Sequence, residues 1–237
     1  MRFTQRAFFL SLLGLCAASL LTAKHHKDVV LTQEAQADLT PEAVLENLME
    51  GNARYVAGEL TNQKHLGRQI EATASGQFPQ AIILSCVDSR VPVEQVFDQR
   101  VGDIFVARVA GNVENVDILG SMEFATAAAG ARLVMVLGHE ACGAVKGACD
   151  HVQLGNLTAL LEKITPAVVA VQDEYPPEER TSKNAEFVAA VIEKNVHLTV
   201  DDIRRNSPIL AGLEADGTIE IVGAHYALDT GEVTLLR

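Results

Sequence analysis

Basic residues are scarce in this chain: 19 Lys and Arg stand against 31 Asp and Glu in 237 residues, a formal net charge of −12. No basic cluster and no internal repeat offsets this deficit, which excludes nucleic acid as a partner. Cysteine is sparse too, with four residues in all, far below the density of a small disulfide-stapled scaffold. Long apolar runs are missing. The run from Ala7 to Leu21 is shorter than the roughly 20 residues needed to cross a bilayer, so no stable membrane anchor is expected. What remains is an ordinary globular composition, 48% apolar and 5% aromatic, with enough apolar material for a sizeable core.

The first 23 residues have a separate character. Basic Met1 to Arg6, the apolar run, and small Thr22-Ala23 before Lys24 make a secretory signal peptide, cleaved near Ala23. The expected location is therefore periplasmic or secreted. Cys16 follows bulky Leu15, which argues against a lipid-modified cysteine. Loss of the leader takes the mature charge to about −14 and leaves Cys86, Cys142 and Cys149. An odd set of thiols in an oxidising compartment calls for something other than a simple disulfide framework. Residues 24–39 are polar and unpatterned, the composition of a flexible arm, and the His25-His26 pair within them receives no chemistry.

From Thr40 onward the pattern is that of one domain, residues 40–237. Thr40-Pro41-Glu42 supplies an N-cap, a proline in the first turn and an early carboxylate, predicting a helix to about Tyr55. Short apolar runs at Ala81–Ser85, Ile104–Ala107 and Leu133–Leu137 read as buried strands. The alanine-rich stretch Leu119–Ala129 is long enough for a crossover helix between parallel neighbours. Helices are expected over Leu157–Val171 and Asn184–Arg205, and strands Thr218–Val222 and Glu232–Leu236 form a closing hairpin around Asp229-Thr230-Gly231. The expected fold is α/β: a mostly parallel sheet flanked by helices, ending in a hairpin.

The chemistry gathers where strands end. Cys86 directly follows the first buried strand, and His139 and Cys142 follow a later one, the place where open α/β sheets carry ligand sites. Two thiols and an imidazole suit zinc. With a fourth, exchangeable position such a site is catalytic; with four protein ligands it is structural. Taken alone, His-x-x-Cys fits a buried structural cysteine equally well. Asp88 and Arg90 lie two residues apart beside Cys86, where they can pair in bidentate fashion.

The segments Ile-Leu-Ser-Cys-Val-Asp-Ser-Arg-Val-Pro at 83–92 and Gly-His-Glu-Ala-Cys-Gly-Ala-Val-Lys-Gly at 138–147 closely resemble the β-class carbonic anhydrases. The resemblance runs from about Pro41 to the C-terminus, through Arg-Val-Ala-Gly-Asn at 108–112 and Val-Gly-Ala-His-Tyr at 222–226. It implies that Cys86, His139 and Cys142 hold Zn2+. It also implies that Asp88 pairs with Arg90 and orients a zinc-bound hydroxide, or swings onto the metal as a fourth ligand in a closed, inactive state. The implied reaction is reversible hydration of carbon dioxide to bicarbonate and a proton. Hydrolysis of carbon disulfide or carbonyl sulfide on the same fold is the enzymatic alternative, and a structural-zinc or redox-sensing protein the non-catalytic one.

By position in the family, Gln77, Phe105, Ala110 and Phe124 line the substrate pocket, and the Gly143 N–H is a donor for the developing bicarbonate. Phenylalanine at 124 replaces the tyrosine of some relatives and removes a hydroxyl. Ile83 and Ser85 depart from the residues that bind an inhibitory bicarbonate in others, so no such site is expected. Arg108 is expected to form a salt bridge instead, and Cys149 to pack in a helix. The family's habit implies a homodimer or homotetramer.

Overall fold

A computed structural model of the protein describes residues 29–236. The leader, Cys16 and the His25-His26 pair lie outside the described residues. No helix among the described residues is long and apolar enough to cross a membrane.

Five strands make one sheet in the order β2-β1-β3-β4-β5: β1 Ala81–Ser85, β2 Ile104–Arg108, β3 Leu133–His139, β4 Glu220–Tyr226 and β5 Val233–Leu236. The first four run parallel, and β5 returns antiparallel to β4. The expected closing hairpin is present, turning through Gly231 at φ 78°. Every residue of β1 and β3 is buried, as continuous apolar runs require when helices cover both faces of a sheet.

One face packs Ile83 and Met135 against α2 (Pro41–Ala57) and α4 (Val93–Val96) through Val44, Leu48, Val96 and Phe97. The other packs Ile82, Leu84 and Val136 against α5 (Val116–Glu123), α9 (Ala185–Asn206) and α10 (Pro208–Ala215). The remaining helices are α1 (Gln33–Ala37), α3 (Leu66–Thr73), α6 (Gly143–Cys149), α7 (Gly155–Glu162) and α8 (Thr165–Val171); α6 and α8 pack with the start of α9 in a third apolar cluster.

Local chemistry sets the element ends. Thr40 Oγ1 accepts from Ala43 N at 3.2 Å to start α2, and left-handed Gly58 stops it. Asn184 Oδ1 caps α9 by accepting from Glu186 N and Phe187 N. The crossover helix begins earlier than expected, because Asn115 accepts from Asp117 N and Ile118 N and so nucleates α5 at Val116. It ends in one π turn, Phe124–Ala128.

Three expectations need correction. The helix expected over Leu157–Val171 is two, α7 and α8, broken around Lys163 and Ile164. Pro166 has no N–H to offer Glu162, and its ring crowds that carbonyl. The strand expected to end at Val222 runs on to Tyr226, where Gly138 pairs His225 and His139 pairs Tyr226. Its small residues weaken the strand pattern but let α9 lie close: a Cβ on Gly223 would sit 2.7 Å from Val196 Cγ1, and one on Gly138 2.6 Å from Val196 Cγ2. Finally, the arm expected to be flexible to residue 39 is docked in part. Thr32 caps α1, and Gln36, 7% exposed, donates from Nε2 to the carbonyls of Pro79 at 2.6 Å and Ala129 at 2.8 Å.

A buried carboxylate ties α2 to the loop before α3. The Asp98 side chain, wholly buried, accepts from Arg54 Nε at 2.6 Å, Thr61 N and Asn62 N at 2.7 Å, and Thr61 Oγ1 at 2.8 Å. Burial alone pushes its pKa up, but Arg54, Thr61 and Asn62 outweigh burial and hold it below the ordinary carboxylate value. A lowered folded pKa stabilises the protein above the unfolded value of about 3.9, and that stability is lost as pH falls through the folded value. Asp98→Asn is therefore expected to cost about 3 kcal/mol at neutral pH. In thermal melts followed by circular dichroism, the gap from wild type should close as the pH drops below about 4; a gap constant with pH would refute the assignment.

Candidate metal centre

Three side chains converge at the carboxyl ends of β1 and β3. Cys86 is the first residue after β1, His139 is the last of β3, and Cys142 is the N-cap of α6. All three are buried, and one ligand atom from each lies within 4.8 Å of the others. The two Sγ atoms are 3.9 Å apart, beyond bonding distance, and both thiols are free. The turn that makes this possible passes through Ala141 at φ 51°, a left-handed conformation costly for a residue with a Cβ.

His139 carries the clearest sign of a missing partner. Its Nδ1 lies 2.8 Å from the Glu140 carbonyl oxygen, which can only accept, so the proton sits on Nδ1. That leaves the Nε2 lone pair bare, and Nε2 is buried with no hydrogen-bond partner. A buried acceptor without a donor costs roughly 1 to 3 kcal/mol unless something electrophilic meets it. Metal-ligating histidines are oriented in the same way, by donating their other ring N–H to a carbonyl or carboxylate.

The thiols are tuned as a pair. A hydrogen bond with Cys142 pulls the Cys86 pKa down against the opposing effect of burial, helped by the Gly111 N–H. That N–H donates to Cys86 Sγ at 3.4 Å. Cys142 is pushed up, first by sharing its proton with Cys86 and then by burial. The site thus presents two adjacent sulfurs that share a proton, which an incoming cation would displace, and one bare imidazole nitrogen. This donor set fits a borderline-soft divalent metal such as zinc.

Asp88 and Arg90 pair as expected: Arg90 donates from Nε to Oδ1 at 2.9 Å and from a terminal nitrogen to Oδ2 at 2.7 Å, with its backbone N–H also on Oδ1. The hydrogen bonds from Arg90 hold Asp88 well below the usual carboxylate range. Asp88 Oδ2 lies 3.9 Å from His139 Nε2, at the rim of the group and outside the ligand cluster itself. Among the described residues Arg108 makes no salt bridge. It braces the loop instead, donating to the backbone carbonyls of Cys86 at 2.8 Å and Asp88. Cys149 is buried at the end of α6, as expected, and burial raises its pKa to about 11; it does not join the ligand group.

The residues expected around the substrate separate into three places. Gly143 follows Cys142, and Ala110 precedes the Gly111 whose N–H meets Cys86, so both lie beside the thiols. Phe105 and Phe124, with ring centroids 6.0 Å apart, share an open apolar groove of about 780 Å³ along β2 with Ile82, Val116 and Ile118. Gln77 is exposed and precedes β1, at the strand end opposite Cys86. Within one protomer it stands apart from the thiols, as strand direction requires. Residues that sequence reasoning missed are Gly111, through its N–H; Glu140, through its carbonyl; and Asn195, an amide on the apolar face of α9.

A parallel sheet that gathers two thiols and an imidazole at its strand ends defines a metal-binding α/β protein. Comparison with known proteins makes this more specific. The carbonic anhydrase family profile matches residues 81–233. Carbonic anhydrase 2 of Mycobacterium tuberculosis is 36% identical over 200 residues, spanning 82% of this chain and 92% of the relative. The carbonic anhydrase of Mycolicibacterium smegmatis is 36% identical over 203 residues, 82% and 93% of the two chains. Tetrameric β-carbonic anhydrases of Sordaria macrospora share the fold, with a TM-score of 0.66 at 21% identity over 81% of this chain and 96% of the other. The chain belongs to the carbonic anhydrase family, in its β class, and is an enzyme of that family.

Proposed function

We propose that this enzyme catalyses the reversible hydration of carbon dioxide to bicarbonate and a proton, with Zn2+ held by Cys86, His139 and Cys142. The observation that carries the metal is the bare, buried Nε2 of His139 beside the two sulfurs. Bound there, zinc would act as a Lewis acid that brings water toward deprotonation near neutral pH.

The protein's own groups complete the reaction. Asp88 stays ionised because Arg90 donates to both of its oxygens, and Oδ2 keeps a lone pair beside that bond with which to accept a hydrogen bond from water and orient it. The same fork keeps Asp88 from swinging onto the ligand group, the arrangement expected of an active state. Arg108 fixes the carbonyls on both sides of Val87 and thus the direction of the Asp88 side chain. Apolar walls suit a small uncharged substrate. A donor such as the Gly143 N–H suits the oxygen on which charge develops.

The reading includes assembly as a homodimer or homotetramer, since β2 is an edge strand bordered by exposed Val116 and Phe124 and relatives are tetrameric. Assembly would also let Gln77 reach a neighbouring protomer's site. It includes export as well, directed by residues 1–23.

The test is stopped-flow hydration of carbon dioxide by purified protein of measured zinc content, between about pH 7 and 9. Asp88→Asn is expected to keep its zinc and lose about 10²-fold in kcat/KM across the whole range. A zinc-loaded wild type inactive at every pH would overturn the reading in favour of carbon disulfide or carbonyl sulfide hydrolysis, or of a structural metal.

A further inference from the structure

The buried face of α9 is apolar, with Phe187, Val188, Val191, Ile192, Val196, Val200 and Ile203, except at Thr199 and Asn195. Asn195 is 3% exposed, and its Nδ2 donates to the Gly111 carbonyl at 2.8 Å. An amide placed among aliphatic side chains is stabilised only by the partner it finds, and this partner belongs to the turn that touches the thiolate.

That turn is conformationally demanding. Gly111 at φ 75° and Asn112 at φ 45° are consecutive left-handed residues. A Cβ at 111 would lie 2.5 Å from Ile164 Cδ1 and 3.3 Å from Ala144 Cβ, and the left-handed φ disfavours one further. In this conformation the Gly111 N–H meets Cys86 Sγ while its C=O, in the buried interior, accepts from Asn195. Removing the Asn195 donor leaves that carbonyl unpaired and favours any rotation of the turn that finds it another donor. Such a rotation withdraws the N–H from the sulfur.

We infer that Asn195 is a positioning residue for the metal centre: through Gly111 it holds an N–H···S hydrogen bond on Cys86 and so sets how strongly that thiolate donates to the ion. This rests on the metal reading proposed above. A hydrogen bond to a ligating sulfur draws charge away from the metal and leaves the ion a stronger Lewis acid, an outer-shell control known from other thiolate centres.

The experiment compares wild type, Asn195→Leu and Val200→Ala, the last trimming the same helix away from the turn. Zinc affinity is measured by competition with a chromogenic chelator, and the cobalt(II)-substituted protein gives the sulfur-to-metal charge-transfer band. Asn195→Leu is expected to bind zinc about 10- to 100-fold more weakly, because the freed turn no longer holds Cys86 in place for the ion and this loss outweighs the stronger donation of the sulfur, with the cobalt band at longer wavelength as the sulfur becomes more electron-rich. Val200→Ala should match wild type in both, whatever it loses in thermal midpoint. Where Asn195→Leu does not fold, Asn195→Ala is read in its place. Wild-type affinity and band position in the Asn195 variant, or equal shifts in the Val200 control, would overturn the inference. A wild type that takes up neither ion would overturn the metal reading beneath it.

Discussion

Cys142→Ala is expected to abolish stoichiometric zinc and, with it, carbon dioxide hydration, lowering kcat/KM by 10³-fold or more. Among the described residues the group at the strand ends offers three donors, the number a catalytic zinc site keeps. Losing one leaves a thiolate and an imidazole, too few to compete with water for the ion. The remaining Cys86 should then lose its lowered pKa, because its largest cause is the hydrogen bond with Cys142. The fold should survive, since Cys142 caps a helix of only seven residues and makes no side-chain capping bond. Metal analysis, hydration kinetics and circular dichroism separate these effects. Cys149→Ser is the matched control, a buried thiol outside the ligand group, and should keep both metal and activity. Retention of full zinc in Cys142→Ala, or loss of zinc in Cys149→Ser, would show that the ligand set has been drawn wrongly.

How much of this was legible in the sequence depends on which forces act locally. The continuous apolar runs at 81–85 and 133–137 declared buried parallel strands because nothing but two-sided burial tolerates them, and the ligands were legible because each immediately follows such a run. The Asp88–Arg90 fork was legible from spacing alone, since two residues in a tight loop can fold back on one another.

Long-range partners were not legible. The proton on His139 Nδ1 is fixed by a backbone carbonyl at Glu140, and every residue has one. Arg108 reads as a salt-bridge residue until the loop carbonyls of Cys86 and Asp88 are seen in its reach. Gln77 carries a resemblance-based role that its own protomer cannot fulfil, because β1 carries the chain from 81 to 85 at about 3.3 Å per residue away from it. Short helices such as α4, of four residues, escape periodicity altogether. Asn195 did leave a trace: at positions 191, 192, 195, 196, 199 and 200, a helix face that should be uniformly apolar carries an amide. A polar residue in a core register asks for a partner, and only the fold says which.

Gly51→Ala is expected to be the most damaging small substitution away from the metal centre, although a helix interior ordinarily gains about 0.5 to 1 kcal/mol from that change. Gly51 lies on the buried face of α2, and a Cβ there would stand 1.9 Å from the Phe97 carbonyl oxygen and 2.7 Å from its carbon. The obstacle is backbone, so no rotamer change relieves it. The carbonyl is also committed, accepting from Gln99 Nε2 at 2.6 Å, while neighbouring Asn52 donates to Val96 O at 3.1 Å. To admit the methyl group, α2 must move off α4 and loosen the packing of Leu48, Val96 and Phe97 that supports β1. Overpacking of this kind costs about 3 kcal/mol or more, which for a protein of this size lowers the thermal midpoint by roughly 6 to 12 °C. Cys86 follows β1 directly, yet the ligand group itself is untouched. Below the melting transition the variant should therefore keep its zinc and its kcat, losing activity only as it unfolds. A midpoint raised by a degree or two, as helix propensity alone would give, would mean that the two backbones do not approach as closely as the packing of α2 requires.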